Sequence, residues 1–142
     1  MYKTIVSILL TVANLWTINA CAVTPDKAIV KVIYNAAAEF HVNAQDLVRI
    51  AYTESKFRPD AIRTNKNGTI DYGMFQVNSI HWSTTCKAMK VMRIKDNARC
   101  AAKILADIKL HHSKSDVQWL GRYHSKTPSK KAKYFELLSS VK

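Results

Sequence analysis

Apolar residues recur with a helical period along most of the sequence and lose that period in one stretch, Arg58 to Asn78. A chain patterned this way folds as helices packed around a single small β feature. Ile29, Val32, Ile33, Ala36, Ala37 and Phe40 follow the i, i+3, i+4, i+7 rule, with Thr24 placed to cap their helix and Pro25 in its first turn. Asn43 is placed to cap a second helix that carries Leu47, Val48, Ile50 and Ala51 and ends near Ser55, ahead of Pro59. Helix returns near Asp96, with Ala98, Ala101, Ala102, Leu105 and Ile108 on one stripe. Ser115-Asp116-Val117-Gln118 has the form of a capping box for a short helix stopped at Gly121. Thr127-Pro128 opens the last helix, whose Ala132, Phe135 and Leu138 face inward. Within the interruption, Asn65-Lys66-Asn67-Gly68 is a tight-turn signal with Ile62 on one side and Ile70 and Tyr72 on the other, predicting a small β-hairpin or an extended loop. The expected class is α+β, predominantly α-helical, with five helices.

A chain of 142 residues with no repeat, low-complexity tract or linker makes one domain. Twenty-two basic residues against ten acidic ones give a formal net charge of +12, which attracts a polyanion: nucleic acid, anionic lipid or an acidic wall polymer. The N-terminus chooses among them. Lys3 precedes an uncharged run from Thr4 to Ala22 centred on Ile5, Val6, Ile8, Leu9, Leu10 and Val12, and small residues close it. This is the anatomy of a secretory signal peptide over residues 1–22, cleaved between Ala20 and Val23, with the mature domain at 23–142. A retained membrane anchor is the alternative, since the run approaches the roughly 20 residues that cross a bilayer. Lipid attachment at Cys21 is another. Export to the periplasm or cell envelope argues against nucleic acid as the partner. In that oxidising space Cys86 and Cys100 are the even pair left when Cys21 is removed or acylated, and a disulfide between them is expected; two separate buried thiols are the alternative.

Glu54 is the first candidate for chemistry. It follows Ile50 by four residues and Leu47 by seven, so it shares their inward stripe. A carboxylate there is costly to desolvate, and its pKa should rise to where it can donate a proton near neutral pH and take one back. A helix-end Glu that turns to solvent or pairs with Lys56 or Arg58 is the structural alternative.

Other motifs follow in order. Glu54-Ser55 is followed by the Asn65 to Gly68 turn and then by Asp71-Tyr72-Gly73-Met74-Phe75-Gln76-Val77-Asn78-Ser79. This connected pattern resembles the soluble lytic transglycosylases, whose fold is related to goose-type lysozyme and whose Glu-Ser pair ends a helix ahead of a Gly-Leu-Met-Gln-Ile-Asn-like segment. The resemblance runs from about Ile33 to Tyr134 and is closest to the short single-domain members that accompany conjugation, type III secretion and type IV pilus machines. It implies a lysozyme-like fold, Glu54 as catalytic residue, and peptidoglycan as the substrate of a monomer that needs no cofactor. It also places Ser55, Tyr72, Gly73, Met74, Phe75, Gln76, Asn78, Tyr123 and Tyr134 along the glycan. Gly73 would let backbone approach the sugar, and Met74 and Phe75 would wall the cleft, although Phe75 reads equally well as core. Gln76 and Asn78 offer donors and acceptors to N-acetyl and hydroxyl groups, and in an extended segment they share a face with Met74. Of the two tyrosines, one would hold Glu54 through its hydroxyl and the other line the cleft. His124 stands where the family usually carries Asn.

Glycosidases usually need two carboxyls. The resemblance implies a shortcut in which Glu54 protonates the bond between N-acetylmuramic acid and N-acetylglucosamine, then takes the proton of the muramyl C6 hydroxyl as that oxygen attacks C1. Asp71 is the candidate second carboxylate, and with it a lysozyme-type hydrolysis is the alternative. A cationic, non-catalytic wall-binding or docking protein of a secretion apparatus is a third reading, served by Lys126, Lys130, Lys131, Lys133 and Lys142. His111 and His112 are adjacent, so a helix points them apart, and His41 and His81 lack partners at ligand spacing, so no metal site is expected.

Overall fold

The computed structural model describes residues 24–141; the segment 1–22, expected to be a signal peptide, and Cys21 within it lie outside them. Four α-helices, α1 (Lys27–Glu39), α2 (Ala44–Ser55), α3 (Ile94–His112) and α4 (Pro128–Ser140), surround strands β1 (Ile62–Thr64), β2 (Ile70–Tyr72) and β3 (Val77–Asn78). Two 3-10 helices, Ser79–His81 and Trp119–Tyr123, complete the described elements. The class is α+β, predominantly helical, as the interrupted period predicts.

The core forms where the helical stripes meet. Ile33 of α1, Leu47 and Ile50 of α2, and Ala98, Ala101 and Leu105 of α3 are all fully enclosed. Small residues on α3 let α1 lie close against it, and an Arg99–Glu39 ion pair of 2.7 Å marks the edge of that contact. Asn43 caps α2 by accepting from the Gln45 amide at 2.8 Å, as expected. Lys56 and Phe57 then take left-handed backbone (φ 57° and 64°), which turns the chain sharply out of the helix.

Several helix ends differ from the sequence reading. Asp26, not Thr24, caps α1, accepting from the Ala28 amide at 2.9 Å; a carboxylate also complements the positive end of the helix. The fifth expected helix is the 3-10 helix Trp119–Tyr123, whose N-cap position is Gln118 rather than Ser115 and carries no side-chain cap. Asp116 accepts from the Gln118 amide and from Arg122 and Lys131, both at 2.8 Å, so it ties this helix to α4. Lys131, opposed by burial and supported by Arg122, holds that carboxyl down to about 2. Gly121 does not end the helix. It lies under the Lys131 carbonyl, where a Cβ would collide.

The interrupted stretch forms a three-stranded antiparallel sheet in the order β1-β2-β3, one strand more than a hairpin. The Asn65–Gly68 turn closes through Gly68 N–H to Asn65 O at 3.0 Å. Arg63 stands opposite Asp71, and Asp71 opposite Asn78.

Cys86 and Cys100 form the expected disulfide, with Cα atoms 5.5 Å apart. It fastens the segment after the sheet to α3 and closes a separation of 14 residues. By loop entropy, replacing both cysteines with serine should lower stability by about 3 kcal/mol. Urea unfolding of the two proteins measures that difference.

Candidate active site

A cleft of about 220 Å³ opens between the sheet, the end of α2 and the Trp119–Tyr123 helix, lined by Glu54, Arg63, Asp71, Gln76, Asn78, Tyr123 and His124 among others. Glu54 stands at the last turn of α2, on the stripe of Leu47 and Ile50, and its side chain is only 8% exposed. Tyr134 of α4 donates its hydroxyl to Glu54 Oε1 at 2.6 Å. Burial pushes the Glu54 carboxyl above its ordinary value; the Tyr134 hydrogen bond and the charge of Arg63 oppose this, and Asp71 adds to it. Such a group keeps its proton further toward neutral pH than a surface carboxyl does.

The two tyrosines divide the roles that the resemblance implied. Tyr134 holds Glu54, while Tyr123 lines the cleft and donates to the Phe75 carbonyl at 3.1 Å. His124 stacks flat on Tyr134, with ring centres 4.8 Å apart and planes at 8°. Its Nδ1 lies 4.0 Å from Glu54 Oε1. Burial, then the charges of Arg63 and Lys130, press His124 below the ordinary histidine value, so it faces Glu54 as a neutral ring at neutral pH.

Asp71 is almost fully buried and heavily engaged. Its Oδ2 accepts from Arg63 Nη2 at 2.7 Å, Arg63 Nε at 3.1 Å and Asn65 Nδ2 at 3.0 Å, and its Oδ1 accepts from Asn78 Nδ2 at 2.6 Å. Asn78 thus reaches the cleft but spends its amide on Asp71, and it caps the following 3-10 helix through the Ile80 amide.

The segment between β2 and β3 departs from the extended form assumed for it. Gly73 to Gln76 is a turn, with φ of 76° at Gly73 and 47° at Gln76. Met74 and Phe75 are wholly buried core and wall no part of the cleft. Gln76 faces the cleft but folds back, donating to the Gly73 carbonyl at 2.9 Å and the Ala61 carbonyl at 3.1 Å. Gly73 is needed for a different approach: a Cβ there would sit 2.6 Å from the Asn97 amide. Ser55 is buried and structural, donating to the Met74 carbonyl at 2.8 Å and accepting from the Arg58 amide at 3.0 Å. Tyr72 lies outside the cleft lining, and its carbonyl accepts from Asn97. Arg63, Asn65, His81 and Ile104 also line the cleft without having been singled out as site residues. Hairpin register could have found Arg63, because the turn fixes it opposite Asp71.

Tyr134→Phe gives a direct reading of this geometry. The lost hydrogen bond favoured the ionised carboxylate, so the Glu54 pKa rises further. Activity that needs protonated Glu54 falls as pH rises through that pKa. The alkaline limb of the activity profile should therefore move up by about one pH unit.

A predominantly helical domain that presents one buried, hydroxyl-bonded carboxyl at a polar cleft has the form of a glycosidase-type enzyme. The chain belongs to the transglycosylase SLT domain family, whose model matches residues 31–132. It is similar to lysozyme-like protein 4 of Rattus norvegicus, 28% identical over 109 residues, covering 69% of this chain and 75% of that one. A shorter match joins it to lysozyme c-1 of Anopheles gambiae, 35% identical over 69 residues, covering 42% and 49% of the two chains. Among solved structures, a lysozyme from Litopenaeus vannamei superposes with a TM-score of 0.48 at 21% identity, over 80% of this chain and 98% of that chain.

Proposed function

We propose that this chain is a peptidoglycan lytic transglycosylase with Glu54 as its single acid and base. The observation that carries this reading is the contrast between the two cleft carboxyls. Glu54 is buried against a neutral hydroxyl and a neutral ring, whereas Asp71 is paired with a guanidinium and two amides. One carboxyl is poised to give a proton; the other has its oxygens engaged.

The steps balance around Glu54. Its proton passes to the glycosidic oxygen as the bond from muramyl C1 breaks, and a neutral N-acetylglucosamine 4-hydroxyl leaves. The C6 hydroxyl oxygen of the same muramyl residue then bonds to C1, and its proton returns to the Glu54 carboxylate. The product is a 1,6-anhydromuramyl end, and water takes no part. Tyr134 keeps Oε1 oriented through both transfers.

The setting is proposed with the chemistry. Export by residues 1–22 would bring a monomer to the periplasm, where the Cys86–Cys100 disulfide is chemically at home. There it would open the wall locally for a secretion, conjugation or pilus apparatus, as the resemblance to small specialised members implies. No helix among the described residues is long and apolar enough to cross a membrane.

A lysozyme-type hydrolysis is the second reading, favoured by the place of Asp71 in the same cleft and by relatives named as lysozymes. Mass spectrometry of soluble fragments released from purified sacculi separates the two. Anhydromuramyl ends made by the native chain and lost in Glu54→Gln are expected. Reducing muramic ends would indicate hydrolysis, and no fragments at all would leave a wall-binding protein.

A further inference from the structure

Arg63 has no part in the proton transfers, yet it forms a salt bridge to the second carboxyl of the cleft, Asp71, at 2.7 Å. It lies on β1 directly opposite Asp71 on β2, so backbone register alone brings the two side chains together. Two of its nitrogens, Nε and Nη2, converge on the single oxygen Oδ2 at 3.1 and 2.7 Å. That same oxygen is the one Asn65 reaches. The Arg63 side chain is 55% exposed and that of Asp71 only 6%, so the guanidinium forms a lid over a buried carboxylate at the cleft wall. An aspartate that is to attack C1, or to hold a cationic sugar while water arrives, needs a free lone pair and an uncompensated charge. Arg63 compensates the charge of Asp71 and, with Asn65, fills Oδ2, while Oδ1 accepts from Asn78. Asn65 and Asn78 would still hold the carboxylate in position if Arg63 were absent.

We propose that Arg63 determines the outcome of strand cleavage: by capping Asp71 it withholds the second carboxylate, so that the muramyl C6 hydroxyl rather than water completes the reaction. This deepens the transglycosylase reading and rests on it. With the cap removed, the first step keeps its chemistry, with Glu54 holding its proton more tightly once the Arg63 charge is gone: Glu54 protonates the leaving oxygen and the C1–O bond breaks. Asp71 then shields C1, a water oxygen bonds to it, and the water proton goes to the Glu54 carboxylate, leaving a reducing muramic end. Arg63 acts through Asp71 and is a positioning residue.

The test compares the ratio of reducing to anhydro ends released from sacculi by the native chain, Arg63→Ala, Arg63→Lys and Arg63→Ala/Asp71→Asn. Arg63→Gln, which keeps the stem and loses the charge, substitutes for Arg63→Ala should that chain not fold. The ratio is expected to rise on the order of ten-fold in Arg63→Ala and to fall back in the double variant. Arg63→Lys, which retains a cation, should stay close to native. Anhydro ends alone from Arg63→Ala, or reducing ends that persist without Asp71, would overturn the role of Arg63 and leave the transglycosylase reading intact. Reducing ends from the native chain would instead overturn that reading itself.

Discussion

Glu54→Gln should abolish glycan cleavage, lowering turnover by at least about a thousand-fold, because one side chain serves as both acid and base. Gln keeps the shape of Glu and still accepts the Tyr134 hydroxyl, so the cleft should survive unchanged. A second consequence separates lost chemistry from damaged structure. Burial raises the Glu54 pKa in the folded chain, so the folded state binds this proton more tightly than the unfolded state. Stability from this group is therefore present below the ordinary carboxyl value of 4.5 and falls as pH rises toward the elevated one. Gln carries no such penalty. Across that window Glu54→Gln should become steadily more stable than the native chain, as read by urea unfolding at several pH values. An inactive variant that is less stable throughout would mean that Glu54 holds the fold rather than performs the reaction.

The largest loss of stability is expected from Asn97→Ala. Asn97 is 1% exposed on α3, and its amide donates to the Tyr72 carbonyl at 2.8 Å and the Val91 carbonyl at 3.2 Å. Its Oδ1 accepts from the Phe75 amide at 3.0 Å. These bonds fix the turn between β2 and β3 to the helix behind it, and so set where Gln76 and Asn78 meet the cleft. Alanine removes two buried bonds and one part-buried bond to backbone groups, at a cost of about 3–5 kcal/mol in all. Urea unfolding checks this; a change under about 1 kcal/mol would show that water or local rearrangement replaces the side chain.

These two residues mark what could and could not be read from the sequence. Glu54 was legible because helix periodicity converts spacing into direction: four residues beyond Ile50 is the same face, and the fold leaves that face inward. The disulfide was legible from compartment and parity. The hairpin was legible from Asn65 to Gly68, where a tight turn leaves few ways to pair the flanking residues. Met74 was misplaced because alternation holds only for extended backbone, and a positive φ at Gln76 breaks it, although Gln76 itself still reaches the cleft and Phe75 takes its core alternative. A non-glycine residue in that conformation gives no sequence signal. Asn97 was invisible for another reason. Its partners lie 6 to 25 residues away, and one polar residue among the apolar and small residues of α3 looks like any solvent-facing side chain. The same long range hid the stacking of His124 on Tyr134, which depends on how α4 docks through Asp116 rather than on any local pattern.

The central claim is that the strand closes on itself and water never enters, and cleavage in water enriched in oxygen-18 tests it most directly. Sacculi digested in that solvent, with new ends trapped by borohydride, are weighed by mass spectrometry. Ring closure predicts anhydromuramyl ends that carry no heavy oxygen at C1. One heavy oxygen in each new muramic end would contradict it and make this chain a hydrolase in which Asp71 acts beside Glu54.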